Sequence, residues 1–70
     1  MNTAELKQQV TEATRNTDNA LNALRKAREE IARLMNQDRA NQSTYSRVYS
    51  ALSRAIKEAS AAEDELSVIR

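Results

Sequence analysis

Two unbroken heptad patterns constrain this sequence more than any other feature. In each pattern, apolar or small residues recur at alternating steps of three and four, the period of a helix that packs along a seam. The first pattern runs through Leu6, Val10, Ala13, Thr17, Ala20, Leu24, Ala27, Ile31 and Leu34. The second runs through Tyr45, Val48, Leu52, Ala55, Ala59, Ala62, Leu66 and Ile69. Two such patterns predict two helices, and we expect the second helix to bury Leu24 and Ile31.

The residue types support an all-α fold. The 70 residues include no glycine and no proline, the two residues that sheets and tight turns depend on for special backbone angles. The polar segment 36–43 separates the two patterns. We therefore predict one domain, residues 1–70, folded as an antiparallel helical hairpin with a helix at about 3–35, a turn at about 36–43 and a helix at about 44–69.

The ends and one internal segment of these helices carry specific signals. Asn2 followed by Glu5 resembles a capping box for the first helix, and Ser43 or Thr44 can cap the second. Residues 16–19 are poor helix formers. Either the first helix continues through them with Thr17 as a polar seam residue, or Thr17 caps a shorter helix and residues 1–16 are loose. The heptad phase is preserved across this segment, which favours the continuous helix.

The short length of the chain predicts a partner. A chain of this size buries only about 60% of its unfolded surface, so its core is marginal without a staple. Neither cysteine nor histidine is present, which removes disulfides and the usual zinc, copper and iron ligands. We predict no metal and no cofactor, and expect a partner chain or dimerisation to complete the hairpin.

Apolar residues beside the two seams suggest where that partner binds. Leu21 and Met35 widen the first stripe, while Tyr49 and Ile56 form a strip along the flank of the second. We interpret this strip as a face for a partner helix. The alternative is that Leu21 and Met35 cover it and the hairpin closes its own core. The predicted partner-binding residues are Leu21, Met35, Tyr45, Tyr49, Ile56, Glu63, Asp64 and Glu65.

Charge is distributed unevenly along the hairpin. Residues 25–57 contain eight basic and three acidic side chains, a net charge of +5, whereas the rest of the chain contains three basic and seven acidic ones, a net charge of −4. Such a dipolar rod suits staggered or antiparallel association, in which unlike ends meet. Within the acidic end, we predict that the cluster Glu63, Asp64 and Glu65 contacts a partner.

Other classes of function are disfavoured. The net charge of +1 gives no overall attraction to nucleic acid or membrane, and no apolar stretch approaches the roughly 20 residues of a membrane span. The start of the sequence also lacks a secretory signal, so we expect a cytoplasmic protein. Without histidine, cysteine or a phosphate-binding glycine loop, and with carboxylates that splay around a helix, we predict that it is not an enzyme.

One known family shares several of these features. The segment 20–31, ALNALRKAREEI, precedes a polar turn, after which come Tyr45, Val48, Leu52, Ala55, Ile56 and Ala59. Over roughly residues 6–66, the chain resembles the small YscE-type co-chaperones of type III secretion systems, although the alanine-rich second helix departs from their bulkier pattern. The resemblance implies a hairpin that joins a helical chaperone and helps keep a needle subunit unpolymerised. The alternative is a self-associating structural protein, a homodimeric four-helix bundle.

Overall fold

A computed structural model describes residues 2–69 as two long helices folded back on each other. Helix α1 spans Thr3–Gln37 and helix α2 spans Gln42–Ser67. Asp38 and a short 3₁₀ turn, Arg39–Asn41, connect them. The resulting rod measures 56 × 14 × 14 Å. The predicted antiparallel hairpin is confirmed; the first and last residues of the predicted domain lie outside the described part of the chain.

Helix α1 begins at the predicted cap and continues through its weak segment. The Asn2 side chain accepts a hydrogen bond of 2.8 Å from the backbone N–H of Glu5. Further along, the Thr17 hydroxyl donates to the Ala13 carbonyl at 2.8 Å, and Thr14 makes the same type of bond one turn earlier. Because these hydroxyls bond within the helix, they do not interrupt it. Helix α1 is therefore continuous through residues 16–19, which confirms the first of the two predicted alternatives.

Helix α2 begins two residues earlier than predicted. Its first residue is Gln42, preceded by Asn41, whose side chain makes no capping hydrogen bond. The prediction that Ser43 or Thr44 caps α2 is wrong, because both residues lie inside the helix. The Gln42 side chain instead donates to the Met35 carbonyl at 3.2 Å, which ties the start of α2 to the last turns of α1.

At every second position, the seam between the helices is displaced by one residue from the predicted seam. Four residues of each predicted pattern face the other helix as expected: Val10, Thr17, Leu24 and Ile31 on α1, and Tyr45, Leu52, Ala59 and Leu66 on α2. The alternate positions are occupied instead by the residues one step later: Thr14, Leu21, Arg28 and Met35 on α1, and Tyr49, Ile56 and Glu63 on α2.

Side-chain size explains this displacement. Only Leu21, 2% exposed, and Ile56, 9% exposed, are buried among the described residues. Both are larger than the alanines predicted for the adjacent positions, so the observed phase removes more apolar surface from water. Leu24 and Ile31 are half-buried, which is less than predicted. The hairpin thus has a narrow core centred on two residues.

Candidate partner-binding surface

The displaced seam leaves a second apolar row on the outside of each helix. Rows that precede equivalent seam positions by one residue lie on the same side of an antiparallel helix pair. Together they form a surface that we call the apolar face: Leu6, Ala13, Ala20, Ala27, Leu34, Val48, Ala55, Ala62 and Ile69. At the open end of the hairpin, Leu6 and Ile69 line one shared hollow, as this geometry requires.

Large apolar side chains on this face remain in contact with solvent. The exposed fractions are 49% for Leu6, 38% for Leu34, 38% for Val48 and 57% for Ile69. These four account for most of the exposed large apolar side chains in the described part of the chain, the others being Tyr49 and Val68. Their concentration on one side, rather than scattered singly, is typical of an interaction surface.

The opposite side of the hairpin is polar. Its row on α2 consists entirely of serines at seven-residue intervals: Ser46, Ser53, Ser60 and Ser67. From α1, the Arg28 guanidinium donates to the Ser53 hydroxyl at 3.4 Å and lies 5.8 Å from the centroid of the Tyr49 ring. The two sides of the rod therefore differ in chemistry, and only one offers a continuous apolar surface.

A hydrogen-bonded cluster organises the turn. Asn41 and the Tyr45 hydroxyl donate to the same oxygen of Asp38, at 2.8 and 2.9 Å. These two bonds, with the Asn41 bond contributing most, lower the pKa of the Asp38 carboxyl below its ordinary value of 3.8. The bond to Asp38, together with desolvation, raises the pKa of Tyr45 above 10.0. The cluster fixes the direction in which α2 leaves the turn.

Just on the open side of the middle of the rod, the carboxyl groups of Asp18 and Glu63 lie beside each other across the seam. A hydrogen bond with Asp18 raises the pKa of Glu63 above its ordinary value of 4.5, and desolvation and the Asp18 charge act in the same direction. The charge of Asp64 adds to this effect, while that of Arg25 opposes it. Two like charges in a seam repel each other when both are ionised, so ionisation of Glu63 weakens this part of the seam.

The predicted partner-binding residues fall into three groups. Leu21 and Ile56 form the buried core, and Met35, Tyr45, Tyr49 and Glu63 lie along the seam. The prediction of an exposed strip on α2 is therefore wrong for Ile56, because α1 covers this side chain. For Ile56 the structure agrees with the alternative, in which the hairpin closes its own core. Asp64 and Glu65 are exposed near the end of α2, where contact with a partner stays a prediction.

The heptad patterns predict that the residues of the apolar face lie in the seam, and this prediction is wrong. Leu34, Val48 and the exposed alanines appear in the predicted seams, because they keep the same seven-residue spacing as the true seam positions. The usable signal was side-chain size: the row containing Leu21 and Met35 carries bulkier residues than the row containing Ala20 and Ala27.

Other types of site find little support in residues 2–69. The described carboxylates include no group of three or more placed to hold a metal ion. Neither α1 nor α2 has the length and apolar character needed to cross a membrane. No protein-family model, curated protein or solved structure matches the chain.

Proposed function

We propose that this chain is a protein–protein interaction module whose apolar face packs against a helical partner. The observation that carries the proposal is the placement of Leu6, Leu34, Val48 and Ile69, which are exposed on one side of a rod in which only two of the residues 2–69 are buried. Burying such side chains releases about 25 cal/mol for each Å² of apolar surface. A helix laid along this face would supply the burial that the hairpin lacks.

Two identities for the partner follow from the sequence. In the first, based on the resemblance to YscE-type proteins, the partner is a chaperone or needle subunit of a type III secretion system, and the chain acts in the cytoplasm as a co-chaperone. In the second, the partner is another copy of the chain, and the product is a homodimeric four-helix bundle. Both use a helix-on-helix contact, so the apolar face serves either.

Site-specific photo-crosslinking in the cells that produce the protein tests the general proposal. The photoreactive residue p-benzoylphenylalanine replaces Val48 on the apolar face, and a matched variant carries it at Ser46, two residues earlier on the polar side. We expect irradiation to give a discrete protein adduct from position 48 and little from position 46. Equal adduct formation at the two positions, or none at either, would overturn the proposal. Mass spectrometry of the adduct identifies the partner.

A further inference from the structure

The apolar face has the same order of side-chain sizes in both directions along α1. Read from the start of the helix, it presents Leu6, Ala13, Ala20, Ala27 and Leu34. A large residue stands at each end, three alanines lie between them, and Ala20 is the midpoint. A second α1 helix turned end over end about Ala20 would therefore place each leucine against a leucine and each alanine against an alanine.

The row from the second half of the chain has the same property. It presents Val48, Ala55, Ala62 and Ile69, with β-branched residues at the ends and alanines between them. Its midpoint falls between residues 58 and 59. Reversal about this point would pair Val48 with Ile69 and Ala55 with Ala62.

The two midpoints lie at nearly the same height on the rod. Arg28 is hydrogen-bonded to Ser53, and Asp18 lies beside Glu63, so Ala20 stands at about the level of residue 61. That level is within three residues of the α2 midpoint, a distance of roughly 4 Å at 1.5 Å per residue. A single twofold axis can therefore pass close to both midpoints.

We propose that the occupant of the apolar face is a second copy of this chain, turned end over end, so that α1 lies antiparallel on α1 and α2 antiparallel on α2. This inference rests on the proposed function and names its partner. It describes an isologous dimer, in which the same patch is buried on both subunits. The dimer is a four-helix bundle with the apolar faces at its centre.

Charge selects this arrangement over the other twofold dimer. If the two hairpins stacked with equivalent ends together, α1 would lie on α2, with Leu34 near Val48 and Ala27 near Ala55. That stacking would place the +5 region against its copy and the −4 ends against each other. The antiparallel arrangement instead brings the acidic end of each copy to the basic end of the other, which is the complementary pairing.

The charged residues of α1 are also ordered so that end-over-end reversal brings unlike charges to similar levels. On α1, Glu5 and Glu12 precede the midpoint at Ala20, while Lys26 and Arg33 follow it. Reversal about Ala20 brings Glu12 of one copy near the level of Lys26 of the other, and Glu5 near that of Arg33. The alanines at the centre allow the helix axes to approach to about 8 Å, the lower end of the usual range. Close approach at the middle lets the larger side chains meet at both ends.

A single cysteine at the proposed axis provides the test, because the chain has no cysteine of its own. In the antiparallel dimer, position 20 of each copy faces itself across the axis, within the roughly 4.4–6.8 Å between Cα atoms that a disulfide needs. The Ala20→Cys variant, oxidised in a glutathione buffer, should become mostly disulfide-linked dimer. The Asn22→Cys variant, exposed on another side of α1, is the matched control and should stay mostly unlinked. Equal linking of the two variants, or none in Ala20→Cys, would overturn the arrangement.

A mixture of two variants checks the direction of the helices. When Ala13→Cys and Ala27→Cys proteins are combined, the proposal predicts disulfides between the two variants and few within either one. Stacking with equivalent ends together places neither pair in contact, since α1 then lies on α2. Preferential linking of each variant to itself contradicts the proposal. The unmodified chain should sediment at about twice its 7.9 kDa.

Failure of this inference differs from failure of the proposed function. A purified chain that stays monomeric to about 100 µM overturns the dimer. If photo-crosslinking at position 48 then captures a different protein in cells, the interaction module stands with another partner. If position 48 captures nothing, both proposals fail.

Discussion

The half of the hairpin next to the turn (the turn half) and the half next to its open end (the open half) differ in the side chains that fill the seam. Near the turn, Leu24, Ile31, Met35 and Leu52 occupy the seam, and the Asp38 cluster closes the end. Towards the open end, Val10 and Leu66 are the large apolar residues of the seam, and the positions between them and the core hold residues that bury little apolar surface: Thr14, Thr17, Ala59 and Glu63. One uninterrupted heptad spacing thus runs through a well-packed region and a poorly packed one. Stability in such a rod should decline from the turn outwards.

This difference affects how the molecule uses a partner. The turn half can hold its helices together with its own side chains, whereas the open half has a polar seam and a pair of facing carboxyl groups. In the proposed antiparallel dimer, the weak half of each copy lies against the strong half of the other. Assembly would then stabilise the region that needs it most.

The largest effect should come from the core residue between the two halves. Replacing Leu21 by alanine removes a side chain that is only 2% exposed, and we expect a loss of roughly 2–5 kcal/mol in the free energy of unfolding. Leu66→Ala, in the half-buried open end, is the matched control and should cost less than half as much. Urea unfolding followed by circular dichroism measures both. Equal losses would mean that the two halves are packed alike.

We expect a gain in stability when the seam of the open half is made as apolar as that of the turn half. The double substitution Thr14→Val and Thr17→Val keeps the shape of both side chains and replaces their hydroxyls with methyl groups in the seam. Extra apolar burial should add about 1 kcal/mol. Hydrogen exchange of the amides in residues 10–17 should slow relative to the parent protein. Unchanged exchange would show that these positions do not face α2.

The turn cluster provides a pH-dependent test of the stronger half. Because the folded-state pKa of Asp38 is lowered, its contribution is present above the ordinary value of 3.8 and is lost as pH falls through the folded-state pKa. The raised pKa of Tyr45 works at the other extreme: its contribution is present below 10.0 and is lost as pH rises through the folded-state value. Asp38→Asn should lower the Tm at pH 7 and flatten the acid limb of the Tm profile. An unaltered acid limb would show that the Asp38 carboxylate does not stabilise the folded state.

The smallest effect concerns the carboxyl pair of the weaker half. The raised pKa of Glu63 means that the protonated form is favoured in the folded state, so the contribution of Glu63 to stability is present below 4.5 and is lost as pH rises through the folded-state pKa. Glu63→Gln should therefore raise the Tm slightly at pH 7 and leave it nearly unchanged at pH 4. Glu65→Gln, an exposed carboxylate two residues further along α2, is the control and should change the Tm little at either pH. A Tm increase that is the same at both pH values would exclude the repulsion between Asp18 and Glu63.

The sequence was sufficient to predict the helices but not their phase. Number, order, approximate bounds and the Asn2 cap follow from local signals such as heptad spacing and capping residues. Positions 13, 20, 27 and 34 and positions 14, 21, 28 and 35 both repeat every seven residues, so spacing alone could not decide which row faces α2. That choice depends on the total surface buried by both helices together.

The contacts across the hairpin also lay beyond the reach of local patterns. The pairing of Asp18 with Glu63 depends on the register between α1 and α2, which is set by the turn. The conformation of the turn depends on the 3₁₀ segment and on two hydrogen bonds that Asp38 accepts. One of these bonds comes from Tyr45, seven residues away. Misplacing the start of α2 by two residues is enough to change every cross-helix neighbour.

Sedimentation equilibrium of two double variants tests the central claim, that the apolar face and not the seam binds the partner copy. Leu34→Ser with Val48→Ser changes the apolar face; Tyr49→Ser with Ile56→Ser changes the seam. The account predicts that the parent is a dimer, that the first variant is a helical monomer by circular dichroism, and that the second loses most of its helicity. A parent chain that is monomeric, or a face variant that remains as dimeric as the parent, would contradict the account.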